Sequence, residues 1–157
     1  VNTEDRADND AARMLAECIS LPYCEAIREI DELGNGLGML AGGARGTVED
    51  TRKWFRVQAV YEARADLTCL GLAIEHHHSL HGAYPEGLNA VDWVFDGHLP
   101  LDPFSGESYR YRLTEDGFLL YSVGPNQVDN GGTIAQNLFE GDIVWRARSV
   151  LARQQKR

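Results

Sequence analysis

A chain of 157 residues has room for one packed domain with an extension, and 15 Lys and Arg against 24 Asp and Glu give a formal charge of −9 that opposes nucleic acid and anionic membrane surfaces as partners. No apolar run reaches the roughly 20 residues that a bilayer span requires, and the opening Val-Asn-Thr-Glu-Asp-Arg lacks the basic-then-apolar layout of a signal peptide. Cys18, Cys24 and Cys69 are too few for a disulfide framework; they read as buried thiols, with a Cys18 to Cys24 bridge as the alternative in an oxidising compartment.

The first ten residues are acid-rich and nearly devoid of apolar side chains, so they read as loose chain or a helix start. Met14, Leu15, Cys18 and Ile19 then recur at helical spacing, Pro22 interrupts them, and Ile27, Ile30 and Leu33 continue as a second helix. The glycines from Gly34 to Gly46 lack both a preceding strand and a Gly-Lys-Ser/Thr ending, which favours a turn or close helix packing over a phosphate loop. From about Val48 to His81 the pattern predicts one long helix with Val60, Ala63, Leu67, Leu70 and Ile74 on its buried face, Glu62, Asp66 and Glu75 mostly elsewhere. Gly82 is a candidate left-handed cap, and Pro85 forces Tyr84 into extended chain, with the tyrosine ring expected between helix end and sheet. Leu88, Val91, Trp93, Val94 and Phe95 suggest one or two helical turns, and the run Leu99 to Gly106, with two prolines, a rigid turn.

Tyr109 to Val123 reads as a β-hairpin closed by Glu115-Asp116-Gly117. Tyr109, Tyr111 and Leu113 alternate with Arg110 and Arg112, the period of a strand buried on one face. The return strand, Phe118 to Val123, is apolar on both sides and should lie centrally. A polar loop follows, then a last short strand at Asp142-Ile143-Val144-Trp145. The sum is an α+β class: residues 1–55 a helical extension, 56–147 a long helix packed on a small antiparallel sheet, 148–157 a basic tail.

The order of motifs adds a resemblance. His81-Gly82 followed by Tyr84-Pro85-Glu86-Gly87-Leu88, then Asp102-Pro103-Phe104-Ser105-Gly106, the Tyr109 to Tyr111 strand, Leu120-Tyr121-Ser122-Val123-Gly124-Pro125 and Asp142-Ile143-Val144-Trp145 resemble the head of the major (G-type) pseudopilins of type II secretion systems over about residues 56–145. The similarity also fits the carboxy-terminal regions of larger uncharacterised bacterial proteins that carry such a head, which is the more natural home for this chain. The resemblance implies a noncatalytic structural or assembly role at the bacterial cell envelope, outside the cytoplasm, with protein partners or self-assembly. One departure is plain. A pseudopilin opens with an apolar helix that anchors it, and residues 1–55 show none.

The resemblance also implies a calcium ion in the loop before the last strand, held by the Val123 carbonyl, the Asn126 side chain and Asp142. Hard oxygens on Asn126, Asp129, Asn130 and Asp142, in a glycine-containing loop, suit calcium's six to eight ligands independently. Asn126 stands where the family usually has Asp, which removes a charge and puts weight on Asp129. Two alternatives to a structural role are a regulatory or binding domain of a larger exported protein and a metal-dependent hydrolase built on the histidines. His77 and His81 lie four apart on the helix, but no His-Glu-x-x-His order is present, and His77 continues the core stripe after Ile74. It is expected as a packed histidine between solvated His76 and His78. Glu115 and Asp116 sit in the hairpin turn, Ser105 and Ser122 lack a nucleophile-elbow setting, and Cys69 sits among leucines, so no catalytic residue is assigned.

Overall fold

A computed structural model describes residues 3–36, 42–134 and 140–145. Two compact units divide the chain, Val1–Ala59 and Val60–Arg157. The basic tail and Ala135 to Phe139 lie outside the described residues.

In the first unit, α1 (Thr3–Cys18) and α2 (Tyr23–Gly36) are separated at Pro22, whose carbonyl accepts the Glu25 and Ala26 N–H groups as α2 begins. A proline lacks the N–H that a continuing helix would need, so one helix ends and another starts there. Leu15, Cys18, Tyr23, Ala26, Ile30, Val48, Phe55 and Ala59 form its core. Gly34 is where α2 and the chain at Val48 come close: a Cβ on Gly34 would stand 3.4 Å from the Val48 side chain. That is the close packing expected from the glycine run, while Gly38 lies outside the described residues. Arg52 pairs with Asp31 and Glu49 at the surface, where such pairs add little stability.

The long helix α3 (Gly42–His81) is 40 residues, starting before the expected Val48. In the second unit its apolar stripe, Val60, Ala63, Leu67, Leu70, Ala73 and Ile74, is buried against a three-stranded antiparallel sheet. Gly82, at φ 74°, ends the helix and donates its N–H to the His78 carbonyl at 2.8 Å. Tyr84 then stacks on His78 at 4.2 Å and meets Phe118 at 5.1 Å, filling the corner between helix end and sheet. A 3-10 helix (Leu88–Phe95) buries Val91 and leaves Trp93 and Val94 exposed, closing on Asp96 in the left-handed region.

The hairpin is β1 (Arg110–Thr114) and β2 (Gly117–Ser122), with Thr114 opposite Gly117, and β3 (Ile143–Val144) pairs with the far end of β2. The order β1-β2-β3 makes β2 central, and Leu120, Tyr121 and Ser122 are all buried. Burial in β1 fades toward the turn: Tyr109 is 3 % exposed but Leu113 48 %, so the alternation read for this strand holds only in its first half. Tyr111 keeps its place because its hydroxyl donates to the Pro85 carbonyl at 2.6 Å.

Three further expectations are corrected. Cys69 is exposed, because it falls on the outer face of α3 with Leu72, one residue off the Leu67 and Leu70 stripe; Cys24 is half-buried, and all three thiols are free. Asp66 faces the sheet, where the Tyr109 hydroxyl donates to its Oδ2 at 2.9 Å. His77 is half-buried instead of packed in the core. The chain reversal after Gly82 brings the Ala83 carbonyl to 3.2 Å from its Nδ1, so this imidazole serves the turn.

Candidate functional site

Two carboxylates and one hydroxyl are the buried polar side chains of the described residues: Asp102, Asp142 and Ser122. Burying a charge is costly unless donors replace its water, so their partners show what each is for. Asp102 begins the Asp-Pro-Phe-Ser-Gly turn. Its Oδ1 accepts the Phe104 N–H at 3.0 Å and the Ser122 hydroxyl at 2.8 Å, and its Oδ2 accepts the Val123 N–H at 2.9 Å. Ser122 Oγ in turn accepts the Gly124 N–H at 3.0 Å. The turn is thereby riveted to the end of the central strand. Burial pushes the Asp102 carboxyl above the ordinary aspartate range, and the donated hydrogen bonds only partly oppose it. Sequence reasoning found a rigid turn here and missed the clasp. Its one local signal is an aspartate two residues ahead of the N–H it accepts, an Asx pattern.

The loop from Gly124 to Asp142 is organised around the second carboxylate. Gly131 and Gly132 adopt φ 70° and 82°, a backbone that turns successive N–H groups inward. Asp142 Oδ1 accepts the Asn130 N–H at 3.2 Å, and Oδ2 accepts those of Gly132 at 2.6 Å and Thr133 at 3.2 Å. Asp129 Oδ1 accepts the Tyr121 hydroxyl and the Gly131 N–H, both at 2.9 Å, while its Oδ2 lies 3.4 Å from Arg110 Nε. The Gly131 N–H, then the Tyr121 hydroxyl, hold the Asp129 carboxyl below the ordinary range. Asn126 Oδ1 accepts the Val128 N–H, and its Nδ2 donates to Asn130 Oδ1. Val123 joins the other side of the strand end, through its N–H to Asp102. Gly124, at φ 69°, passes so close to the Gly141 carbonyl that a side chain there would collide with it.

These residues are the ones named for calcium, and as folded they do not fit that ion. A carboxylate offers about four lone-pair sites, and Asp142 and Asp129 each already have three donors on them. Calcium needs six to eight oxygens facing it, whereas the loop points N–H groups at its acids. Among the described residues, no three His, Cys, Asp or Glu side chains gather as a metal cage.

A third acidic locus lies under β1. Burial raises the Asp66 carboxyl above the ordinary range; the Tyr109 hydroxyl lowers it, and the nearby Asp102 charge adds to the rise. Glu62, one turn earlier, is raised by burial and by Asp66. A carboxyl whose folded pKa exceeds its unfolded one binds protons more readily when folded, so stability rises as pH falls through the folded pKa toward the unfolded value. Denaturation curves followed downward from neutral pH toward the ordinary aspartate value are therefore expected to show Asp66→Asn flattening this acid-side gain, with no loss of stability at neutral pH. Parallel pH profiles for the two proteins would overturn this account of Asp66.

The histidines are dispersed over separate partners. His76 is exposed with its ring 5.8 Å from Trp93, His78 lies on Tyr84, and His77 faces His81 with ring centroids 4.4 Å apart. None of them contacts a described nucleophile, and Ser122, fully buried beside Asp102, is closed to any substrate. No protein-family model matches this chain, and neither a curated protein nor a solved structure matches it.

Proposed function

We propose that this chain is a noncatalytic structural or assembly domain of the bacterial cell envelope, of the kind represented by type II secretion pseudopilin heads. The observation that carries the reading is the use made of Asp102 and Asp142. Each buried carboxylate takes three donors, two or more of them backbone N–H groups, and each pins a loop to an end of β2 or β3. Groups of this kind in a catalytic cleft would leave a face toward substrate. The long helix on a β1-β2-β3 sheet supports the same reading.

Its test is a chimera in which residues 56–145 replace the head of a pseudopilin behind that protein's own apolar helix. Overproduction is expected to give filaments. A folded, stable chimera that stays unassembled would overturn the assembly role and favour the second reading, a regulatory or binding domain of a larger exported protein. That second reading has its own observation: the unit Val1–Ala59 is helical with its own core.

The loop is expected to stand without calcium. Thermal melts in calcium and in chelator should coincide, and Asp142→Ala should lower both by about 2 to 4 kcal/mol by stripping charge-assisted hydrogen bonds. A rise in Tm with calcium that Asp142→Ala abolishes would restore the ion to the loop, since a ligand stabilises only the state that binds it.

A further inference from the structure

The last turn of α3 carries two imidazoles that neither the core nor the acidic loop uses. His77 and His81 are one helical turn apart, their ring centroids 4.4 Å from each other and their planes inclined by 45°. His81 is exposed, and His77 is half-buried with its Nδ1 3.2 Å from the Ala83 carbonyl oxygen. A carbonyl only accepts, so Nδ1 of His77 carries the proton and the lone pair of the neutral ring is on Nε2. Metal-ligating histidines are oriented in this way, one nitrogen tied to a carbonyl and the other free.

The spacing also selects among metals. A metal about 2.0 to 2.1 Å from an imidazole nitrogen lies about 3.2 Å from the ring centroid. Two such rings with centroids 4.4 Å apart subtend about 90° at the metal, whereas a tetrahedral ion would hold them about 5.2 Å apart. Right-angled nitrogen ligands suit octahedral, tetragonal and square-planar ions rather than a tetrahedral one, and among the divalent ions of those geometries Ni(II) and Cu(II) bind imidazole most tightly. The other two histidines of the cluster are engaged with Trp93 and Tyr84.

We propose that His77 and His81 form a surface site for a divalent transition metal of tetragonal preference, Cu(II) or Ni(II), bound through Nε2 of His77 and a ring nitrogen of His81, with water in the remaining positions. The ion would span the turn that Gly82 closes and hold the end of α3. This site is separate from the acidic loop and does not depend on the assembly role proposed above.

Metal-free protein without an affinity tag, titrated with Cu(II) and followed by electron paramagnetic resonance, tests it. One equivalent is expected to give an axial signal with coupling to two imidazole nitrogens. His77→Ala and His81→Ala should each reduce the coupling to one nitrogen and weaken binding at least about tenfold, while His76→Ala and His78→Ala leave signal and affinity unchanged. His81 is exposed, so His81→Ala keeps the fold and the comparison. A two-nitrogen signal that survives His81→Ala, or one lost in His76→Ala or His78→Ala, would overturn the proposal.

Discussion

Asp102→Ala is expected to destabilise the unit Val60–Arg157 by about 3 to 5 kcal/mol, the range for removing one partner from a buried charged network. The carboxylate is 1 % exposed, and its loss strands the Phe104 and Val123 N–H groups and the Ser122 hydroxyl where water does not reach. Each abandoned donor costs about 1 to 3 kcal/mol. Asp102→Asn should recover only part of this, because its amide NH2 must face at least one of the three donors. Denaturant titration gives the magnitude, and hydrogen exchange gives the location: protection at the Phe104 and Val123 amides should fall before that of the Leu120 strand. A Ser122→Ala change made on top of Asp102→Ala should cost less than it does alone, since the hydroxyl has then lost its acceptor. Additive costs, or unchanged protection at Phe104 and Val123, would mean that the clasp does not hold the turn.

Gly71→Ala is expected to destabilise the same unit by about 1 to 3 kcal/mol, although alanine is the better helix former. Gly71 is buried mid-helix with the Trp145 indole lying directly on its Cα, and a methyl group there would overlap the ring. The indole has little freedom to yield. It stacks on Phe118 with centroids 5.3 Å apart, and its residue is tied to the sheet by the Trp145 backbone N–H, which donates to the Leu120 carbonyl at 3.0 Å. The decisive comparison reverses the sign. In a Trp145→Ala background the clash is gone, and Gly71→Ala should then stabilise by about 0.5 to 1 kcal/mol through helix propensity alone. Equal effects of Gly71→Ala in both backgrounds would show that the indole does not rest on the helix.

The parts of this molecule legible in the sequence were those set by local rules. The period of Val60, Ala63, Leu67, Leu70 and Ile74 announced the buried face of α3, Gly82 and Pro85 marked its end, and the hairpin with its central return strand followed from alternation and a turn. Each depends on neighbours a few residues apart, because helix and strand periodicity are properties of short windows. The chain's own residues likewise determined that Asp102-Pro103 would make a turn and that the loop before the last strand would be polar.

What only the tertiary structure decided were the partners brought from far along the chain. Asp102 meets Ser122 and Val123 twenty and twenty-one residues on, Asp66 meets Tyr109 across forty-three, and Gly71 accommodates Trp145. An aspartate in the sequence carries no mark of whether it will face a cation, water or a cradle of N–H groups. At Asp142 the positive φ of Gly131 and Gly132 accompanies three amides turned onto its carboxylate. Likewise Cys69 and His77 were misjudged because one residue is a rotation of about 100° on a helix: a stripe predicted over many turns fixes its centre well, but the edges depend on where the sheet stops.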